Sequence, residues 1–483
     1  MTNFSDDDVK QITEHGLSVQ DIEQQLSDFI KGFPFANIVR PATVGDGIFQ
    51  YDSDSAGTFI KLYDTEKQNY KITKFVPASG AATRMFKDLF EFLGTGNTND
   101  TVDKVVKNID RFAFYDELKK FLPDNPTPRD IVSAMLDSDK LTLGALPKAL
   151  IEFHKYDNET RTAAHEHLIE GVQYAQSNNV INIHYTLSPE HQNKFNELMT
   201  KIVPITEQKF NVKFNITTSV QKSSTDTIAA NFDNTPFRDN NGRLVFRPAG
   251  HGALIENLND IDSDIIFIKN IDNITNDANR NDTITYKKLL AGVLIHLQKQ
   301  IFKFMRDLQQ GNYDETALRH FIRNELSKPL TKSNISRDEF IKILNRPIRV
   351  CGVVKNTGEP GGGPFWVCDN GCDTLQITES SQIAPENRDI MAQSTHFNPV
   401  DLVCGVRDWN GNKFNLSQFI DFNTGFISEK SQNGRALRAM ERPGLWNGAM
   451  AYWHTVFVQV PNTTFTPVKK VSDLLNAAHT KQK

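Results

Sequence analysis

ITKFVPASGAATRMFKDLFEFL, residues 72–93, is the stretch on which the fold turns. Residues 72–76 read as a short buried strand. The small residues of 77–82 then make a turn, and Met85, Phe86, Leu89 and Phe90 recur at helical spacing. A strand that feeds a helix through a compact turn is the repeating unit of an α/β sheet. Ligands of such sheets bind beyond the carboxyl ends of the strands, where a helix start offers unpaired N–H groups to anions. Ser79, Gly80, Ala81, Ala82 and Thr83 keep bulk low enough for a triphosphate to approach the backbone. Arg84 adds a fork of donors matched to phosphoryl oxygens. The segment is neither GxGxxG nor GxxxxGK[ST], so it predicts no dinucleotide fingerprint and no kinase-type P-loop. A close-packed turn with a surface arginine is the competing reading.

The surrounding chain extends this pattern. Strands alternate with helices through residues 71–345, which predicts an α/β sheet covered on both faces. Residues 1–70 read as a helical lead-in, with Ile12, Val19, Ile22, Leu26 and Phe29 at near-helical offsets. Residues 91–140 read as a charged helical insertion, with Phe112, Phe114 and Leu118 as its core. A strand pair is expected around the turn Asn240-Asn241-Gly242. Residues 346–483 are rich in strands and turns, and are expected to complete the sheet and add a smaller β-rich lobe.

Composition narrows the function. The chain has 483 residues, 39% of them hydrophobic, which supports a sizeable core and excludes a disordered chain. Lys and Arg number 54 against 59 Asp and Glu, a net charge of -5, so no broad nucleic-acid surface is expected. A small basic phosphate pocket remains compatible with that balance. Four cysteines exclude a disulfide scaffold. The opening residues carry neither a basic leader nor an apolar run, and no stretch approaches a membrane span, so a cytoplasmic address is expected.

Four further features carry chemistry. Lys148, in Leu146-Pro147-Lys148, is placed to neutralise a phosphoryl group, although a solvated loop lysine is the plainer reading. Gly250 and Gly252 flank His251, which lets the backbone wrap a planar base or ribose. Asp272 ends a buried strand, where a carboxylate can hold a Mg²⁺ that bridges phosphate oxygens. In residues 355–366, Lys355, Glu359 and Gly362 suggest a sugar-binding loop or hinge, against the alternative of a tight bend under Trp366. Cys368 and Cys372 lack a partner pair for zinc, and His165 and His167 lie on different helix faces.

Together these motifs resemble the nucleotidyltransferases that join a nucleoside triphosphate to a sugar 1-phosphate, above all the UDP-sugar pyrophosphorylases. Ala78-Ser-Gly-Ala-Ala-Thr-Arg84 is similar to their glycine-rich loop after the first strand, and Leu146-Pro147-Lys148 to their Pro-Lys step. Gly250-His251-Gly252 and Asn270-Ile-Asp272-Asn273 resemble their G-H-G and N-x-D-N signatures. Phe465-Thr-Pro-Val-Lys469, followed by Asp473-Leu-Leu475, resembles F-x-P-V-K and D-L-L. The chain as a whole resembles a bacterial family of unknown function related to these transferases. It departs from them in carrying Ala81 and Ala82 where glycines are expected, and in the long interval from Arg84 to Lys148.

The resemblance implies a Rossmann-like mixed-sheet nucleotidyltransferase core with a helical insertion and a β-rich C-terminal lobe. It implies UTP and a sugar 1-phosphate as partners, Mg²⁺ as cofactor and pyrophosphate as product. Arg84, Lys148 and Lys469 would act on the phosphates, and Asp272 with Asp401 would be the metal carboxylates. Residues 79–83 and 250–252 would hold the nucleotide, and Lys355, Glu359 and Gly362 the acceptor. A nucleotide- or sugar-binding regulator and a nucleotide-sugar-dependent glycosyltransferase on the same scaffold are the alternatives.

Overall fold

The computed structural model describes residues 4–80, 82–369 and 371–480. Among them no helix is long and apolar enough to cross a membrane. The chain divides into two units, each assembled from three stretches. The first comprises Met1–Ala56, Gln221–Asp264 and Val293–Gln459; the second comprises Gly57–Val220, Ile265–Gly292 and Val460–Lys483. The expected succession of a lead-in at 1–70, a core at 71–345 and a terminal region at 346–483 is therefore replaced by an interleaved arrangement. The reason is long-range pairing: Phe49, in the supposed lead-in, lies beside Val458 in a parallel ladder.

The second unit holds the strand that opened the sequence reading. Ile72–Pro77 is buried at all six positions, as an apolar run flanked by strands on both sides must be. It runs parallel to Ile265–Ile268 on one side and to Val180–Leu187 on the other, and Lys213–Val220 continues the ladder in parallel. The helices Lys87–Thr95, Ala163–Tyr174 and Gln192–Phe210 send Leu89, Leu168 and Phe195 into one core with Ile181, Ile183 and Tyr185 of the sheet. The first of these helices begins at Lys87, so Met85 and Phe86 precede it, and Phe90 is exposed.

The expected helical insertion is present. Asp100–Lys107 is capped by the Asn99 side chain, and Pro128–Leu136 starts with a Thr127–Asp130 capping box and a proline at its first position. Val102, Phe112, Phe114, Leu118 and Met135 join the same core, so the insertion is a packed layer of this unit.

In the first unit, Gly47–Phe49, His454–Gln459 and Ile348–Val353 run parallel, and Asp401–Gly405 pairs antiparallel with the last of them. The β-rich region contributes two hairpins, Gly363–Asp369 with Cys372–Thr378 and Phe426–Gln432 with Arg435–Glu441. Cys368 and Cys372 are free thiols at the tip of the first hairpin. The strand pair expected around Asn240-Asn241-Gly242 is reduced to a single bridge, Arg238 with Leu244.

Candidate phosphate site at the end of the central strand

The junction after Ile72–Pro77 is tied down on both sides. Ala78 donates its N–H to the Thr186 carbonyl at 3.0 Å, which continues the parallel ladder, and the Ser188 hydroxyl donates to the Ser79 carbonyl at 2.9 Å. Beyond Ser79 the loop packs on the segment before Lys148. Ala82 donates to the Leu146 carbonyl at 2.9 Å, and the Thr83 hydroxyl to the Gly144 carbonyl at 3.2 Å. The long interval between Arg84 and Lys148 thus closes on itself, because the helices between them return the chain to the same loop.

These contacts sort the expected phosphate-binding residues. Ala82 is fully buried in the core with its N–H already spent on Leu146, so it has no donor to offer an anion. Gly80 is exposed, and a Cβ built on it would meet nothing within 4 Å. The protein itself does not require its smallness; the space beside it is open. Thr83 and Arg84 are exposed, and the Arg84 guanidinium forms no ion pair among the described residues. Ala81 lies outside the described residues.

Lys148 is the centre of the arrangement. Its Nζ lies 2.6 Å from Asp272 Oδ2 and 2.7 Å from the Val468 carbonyl. The Val468 N–H in turn donates to the Asp272 carbonyl at 3.1 Å. Three distant segments therefore meet at one ammonium group. Asn273, the last residue of the N-x-D-N motif, explains how the third is held. Its Oδ1 accepts from the Thr466 N–H at 2.9 Å, and its Nδ2 donates to the Thr464 carbonyl at 3.3 Å. Asp473, in the D-L-L motif, accepts from the N–H groups of Lys469 and Lys470 at 2.8 and 2.7 Å. That capping fixes the turn that presents Lys469, whose side chain is exposed.

Behind this accessible cluster lies a buried one that the sequence reading missed. Lys74 points off the central strand into the core, where its Nζ is 3.1 Å from Glu170 Oε2; Lys269 Nζ is 2.9 Å from Glu170 Oε1. Burial opposes ionisation of Glu170, but the Lys269 and Lys74 charges outweigh it and hold the carboxyl well below its usual pKa. Burial pulls the Lys74 ammonium down to about 7, against the opposing pull of Glu170. The His167 ring is within 3.2 Å of the Ile271 carbonyl through Nε2. The network thus braces the turn that carries Asp272. A lysine inside an otherwise apolar strand was the available signal.

Residues 250–252, 355–362 and 401 belong to the first unit. Gly250 has φ +78°, and a Cβ there would lie 2.5 Å from Glu441 Oε2. A Cβ on Gly252 would lie 1.9 Å from the Pro443 carbonyl oxygen. Gly250 is therefore called for by its left-handed backbone and Gly252 by the approach of the Pro443 backbone, so the G-H-G pattern is not by itself the imprint of a ligand. His251 between them is exposed, with its ring 5.0 Å from that of Trp446. Lys355 is exposed, and Glu359 accepts from the Thr357 N–H and hydroxyl at 2.8 and 3.0 Å. Gly362 is held by a close backbone approach, its Cβ position lying 2.1 Å from the Thr378 carbonyl oxygen. Asp401 starts its strand with 1% exposure, enclosed within the fold. His165 and His167 are buried, and the His165 ring is within 3.3 Å of the Thr206 hydroxyl.

Comparison with known proteins gives the fold a wider setting. A UDP-N-acetylglucosamine pyrophosphorylase from Trypanosoma brucei, in complex with an inhibitor, superposes with a TM-score of 0.50 at 10% identity, covering 98% of this chain and 84% of that one. A UDP-glucose pyrophosphorylase from Leishmania major in complex with UDP-glucose gives 0.45 at 12% identity, over 97% of this chain and 77% of that one. No curated protein matches. The α/β architecture is thus similar to that of the Trypanosoma brucei enzyme. The family profile described as Domain of unknown function (DUF4301) matches residues 5–480, and the chain belongs to that family.

Proposed function

We propose that the chain transfers a nucleotidyl group from a nucleoside triphosphate, with UTP favoured, to a sugar 1-phosphate and releases pyrophosphate. The observation that carries this reading is the meeting of Lys148, Asp272 and the Val468 carbonyl beside the open loop at Gly80. Beyond the end of a central parallel strand, such a cluster offers cations to phosphoryl oxygens and a carboxylate to a divalent ion.

In this reading an oxygen of the sugar phosphate attacks the α-phosphorus, and the bond to the bridging oxygen breaks as pyrophosphate leaves. Charge neutralisation and alignment do most of the work, since the attacking monoester is already an anion. Arg84 grips the triphosphate with its fork of donors. Lys148 exchanges Asp272 for an α-phosphate oxygen, and Lys469 offsets charge on the substrates. Ser79, Gly80 and Thr83 border the space the phosphates enter. Asp272 suits Mg²⁺: only its Oδ2 is engaged by Lys148, and Mg²⁺ is commonly held by one or two carboxylates plus substrate phosphates. Among the described residues no group of three or more His, Cys, Asp or Glu side chains forms a dedicated metal cage, which favours an ion that arrives with the nucleotide. When bound, Mg²⁺ would supply charge stabilisation to the phosphoryl oxygens. His251 is proposed as a polar contact for base and ribose, and Lys355, Glu359 and Gly362 as the acceptor loop.

A pyrophosphate-release screen, crossing nucleoside triphosphates with sugar 1-phosphates in the presence of Mg²⁺, tests the proposal. Release that needs both substrates and falls at least about 100-fold in Arg84→Ala and in Asp272→Ala supports it. The engaged N–H of Ala82 favours one second reading, a nucleotide-binding regulator. Nucleotide binding without release across the panel would select that reading, and neither binding nor release would remove both.

A further inference from the structure

The first unit contains a cavity of about 370 Å³ at the N-terminal ends of the strands Ile348–Val353 and His454–Gln459. Lys328, Arg346, Asp369, Gln376, Tyr452 and Thr455 are among the residues that line it. Its charges do not balance. The Lys328 ammonium has no hydrogen bond or ion pair among the described residues. Burial, reinforced by the nearby Arg346 charge, lowers its pKa to about 8. Among the described residues the Arg346 guanidinium reaches only main-chain carbonyls, that of Lys342 at 3.3 Å and that of Tyr452 at 3.4 Å.

A third cation stands directly behind the wall. Arg349 is completely buried and donates from Nε to the Thr455 hydroxyl at 2.9 Å and from one terminal nitrogen to the Trp446 carbonyl, while its second terminal nitrogen has no partner among the described residues. No carboxylate pairs with it among the described residues. A protein that encloses cations normally supplies anions to match, because an uncompensated buried charge is costly. Here the wall provides one carboxylate, Asp369, against two lining cations and one behind.

We propose that this cavity binds the phosphoryl group of a small phosphorylated ligand, with Lys328 and Arg346 as its direct contacts. The volume falls in the range of small-molecule sites. The remaining wall suits a polyol attached to the phosphoryl group: Asp369 and the Gln376 side-chain oxygen are acceptors for hydroxyls, while the Gln376 Nε2 is held by the Ala451 carbonyl at 2.9 Å. This site is distinct from the proposed acceptor loop of the same unit. Arg346 precedes the strand Ile348–Val353 and Lys355 follows it, and a strand of that length spans roughly 20 Å.

Lys328 provides a direct readout that does not pass through the proposed transfer reaction. The intact wild-type protein is treated with an amine-acylating reagent near neutral pH, and labelling of each lysine is followed by peptide mass spectrometry. Inorganic phosphate, glucose 6-phosphate and glucose are added in turn. Lys328 is expected to be labelled at least about fivefold more slowly with either phosphate-bearing probe and to be unaffected by glucose. Stronger protection by glucose 6-phosphate identifies an organic phosphomonoester as the ligand, and stronger protection by inorganic phosphate identifies the free anion. Unchanged labelling with both would overturn the proposal. Calorimetry on Arg346→Gln, with the wild-type melting curve as a folding control, should show a Kd for the better probe raised at least about tenfold. Undiminished affinity in that folded variant would also overturn it.

Discussion

Two lysine–carboxylate contacts in the second unit are similar in kind and opposite in setting. Lys148 and Asp272 meet at 2.6 Å with side chains 15% and 21% exposed, whereas Lys74 and Glu170 meet at 3.1 Å with both side chains at 0%. Water screens the first pair, so it is worth no more than about 1 kcal/mol, and its lysine can leave the carboxylate for another anion. The second pair has no such freedom. Removing Glu170 would strand two ammonium groups, Lys74 and Lys269, in a medium that cannot solvate them. The enclosed pair holds the strand ends in place, and the accessible pair is the one available for chemistry.

The comparison breaks most visibly at Glu170. Glu170→Ala leaves the ammonium groups of Lys74 and Lys269 buried without their shared partner, and should cost about 3–5 kcal/mol in urea unfolding. A loss below about 1 kcal/mol would mean that the enclosed pair is as dispensable as an exposed one. Lys148→Ala should do the reverse. Pyrophosphate formation should fall about 100-fold, equivalent to about 2.7 kcal/mol in the barrier, with an unfolding midpoint close to wild type.

Titration sharpens the contrast. The Lys74 pKa is lowered from 10.5 to about 7 by burial, so between those values the unfolded chain binds more protons than the folded one. Stability should therefore rise with pH across that window, by at most about 1.4 kcal/mol per pH unit from this group. Lys74→Met should flatten the rise in a series of urea curves. The smallest structural effect is expected at Gly80. Gly80→Ala places its methyl group in open space and should change stability by less than about 0.5 kcal/mol. It should nevertheless raise the KM for nucleotide, which steady-state kinetics would show.

The parts of this site that were legible in the sequence are those with a local signature. The strand, the compact turn and Arg84 follow one another in residues 72–84, and Asp272 closes an apolar run. Lys148 was recognisable only as a lysine after a proline. Its meeting with Asp272 depends on an insertion folding back, which periodicity does not encode. The Val468 carbonyl was invisible because a backbone acceptor has no residue type. Ala82 and the glycines at 250 and 252 show a related ambiguity. Small residues mark close approach, but sequence does not say whether a ligand or the chain itself approaches, and here Leu146, Glu441 and Pro443 do so. The interleaved units were equally hidden, since the ladder between Phe49 and Val458 leaves no trace in either neighbourhood.

The Val468 clasp also sets an order of events during biosynthesis. A chain emerging from the ribosome can lay down Ile72–Pro77, the loop at Lys148 and the turn at Asp272 long before residue 468 appears. Until then the Lys148 ammonium lacks its backbone acceptor, and Asn273 lacks the Thr464 carbonyl and Thr466 N–H that it holds. Nascent chains stalled or cut short of that point should carry an unfinished site, so competence arrives late and in one step rather than growing with chain length.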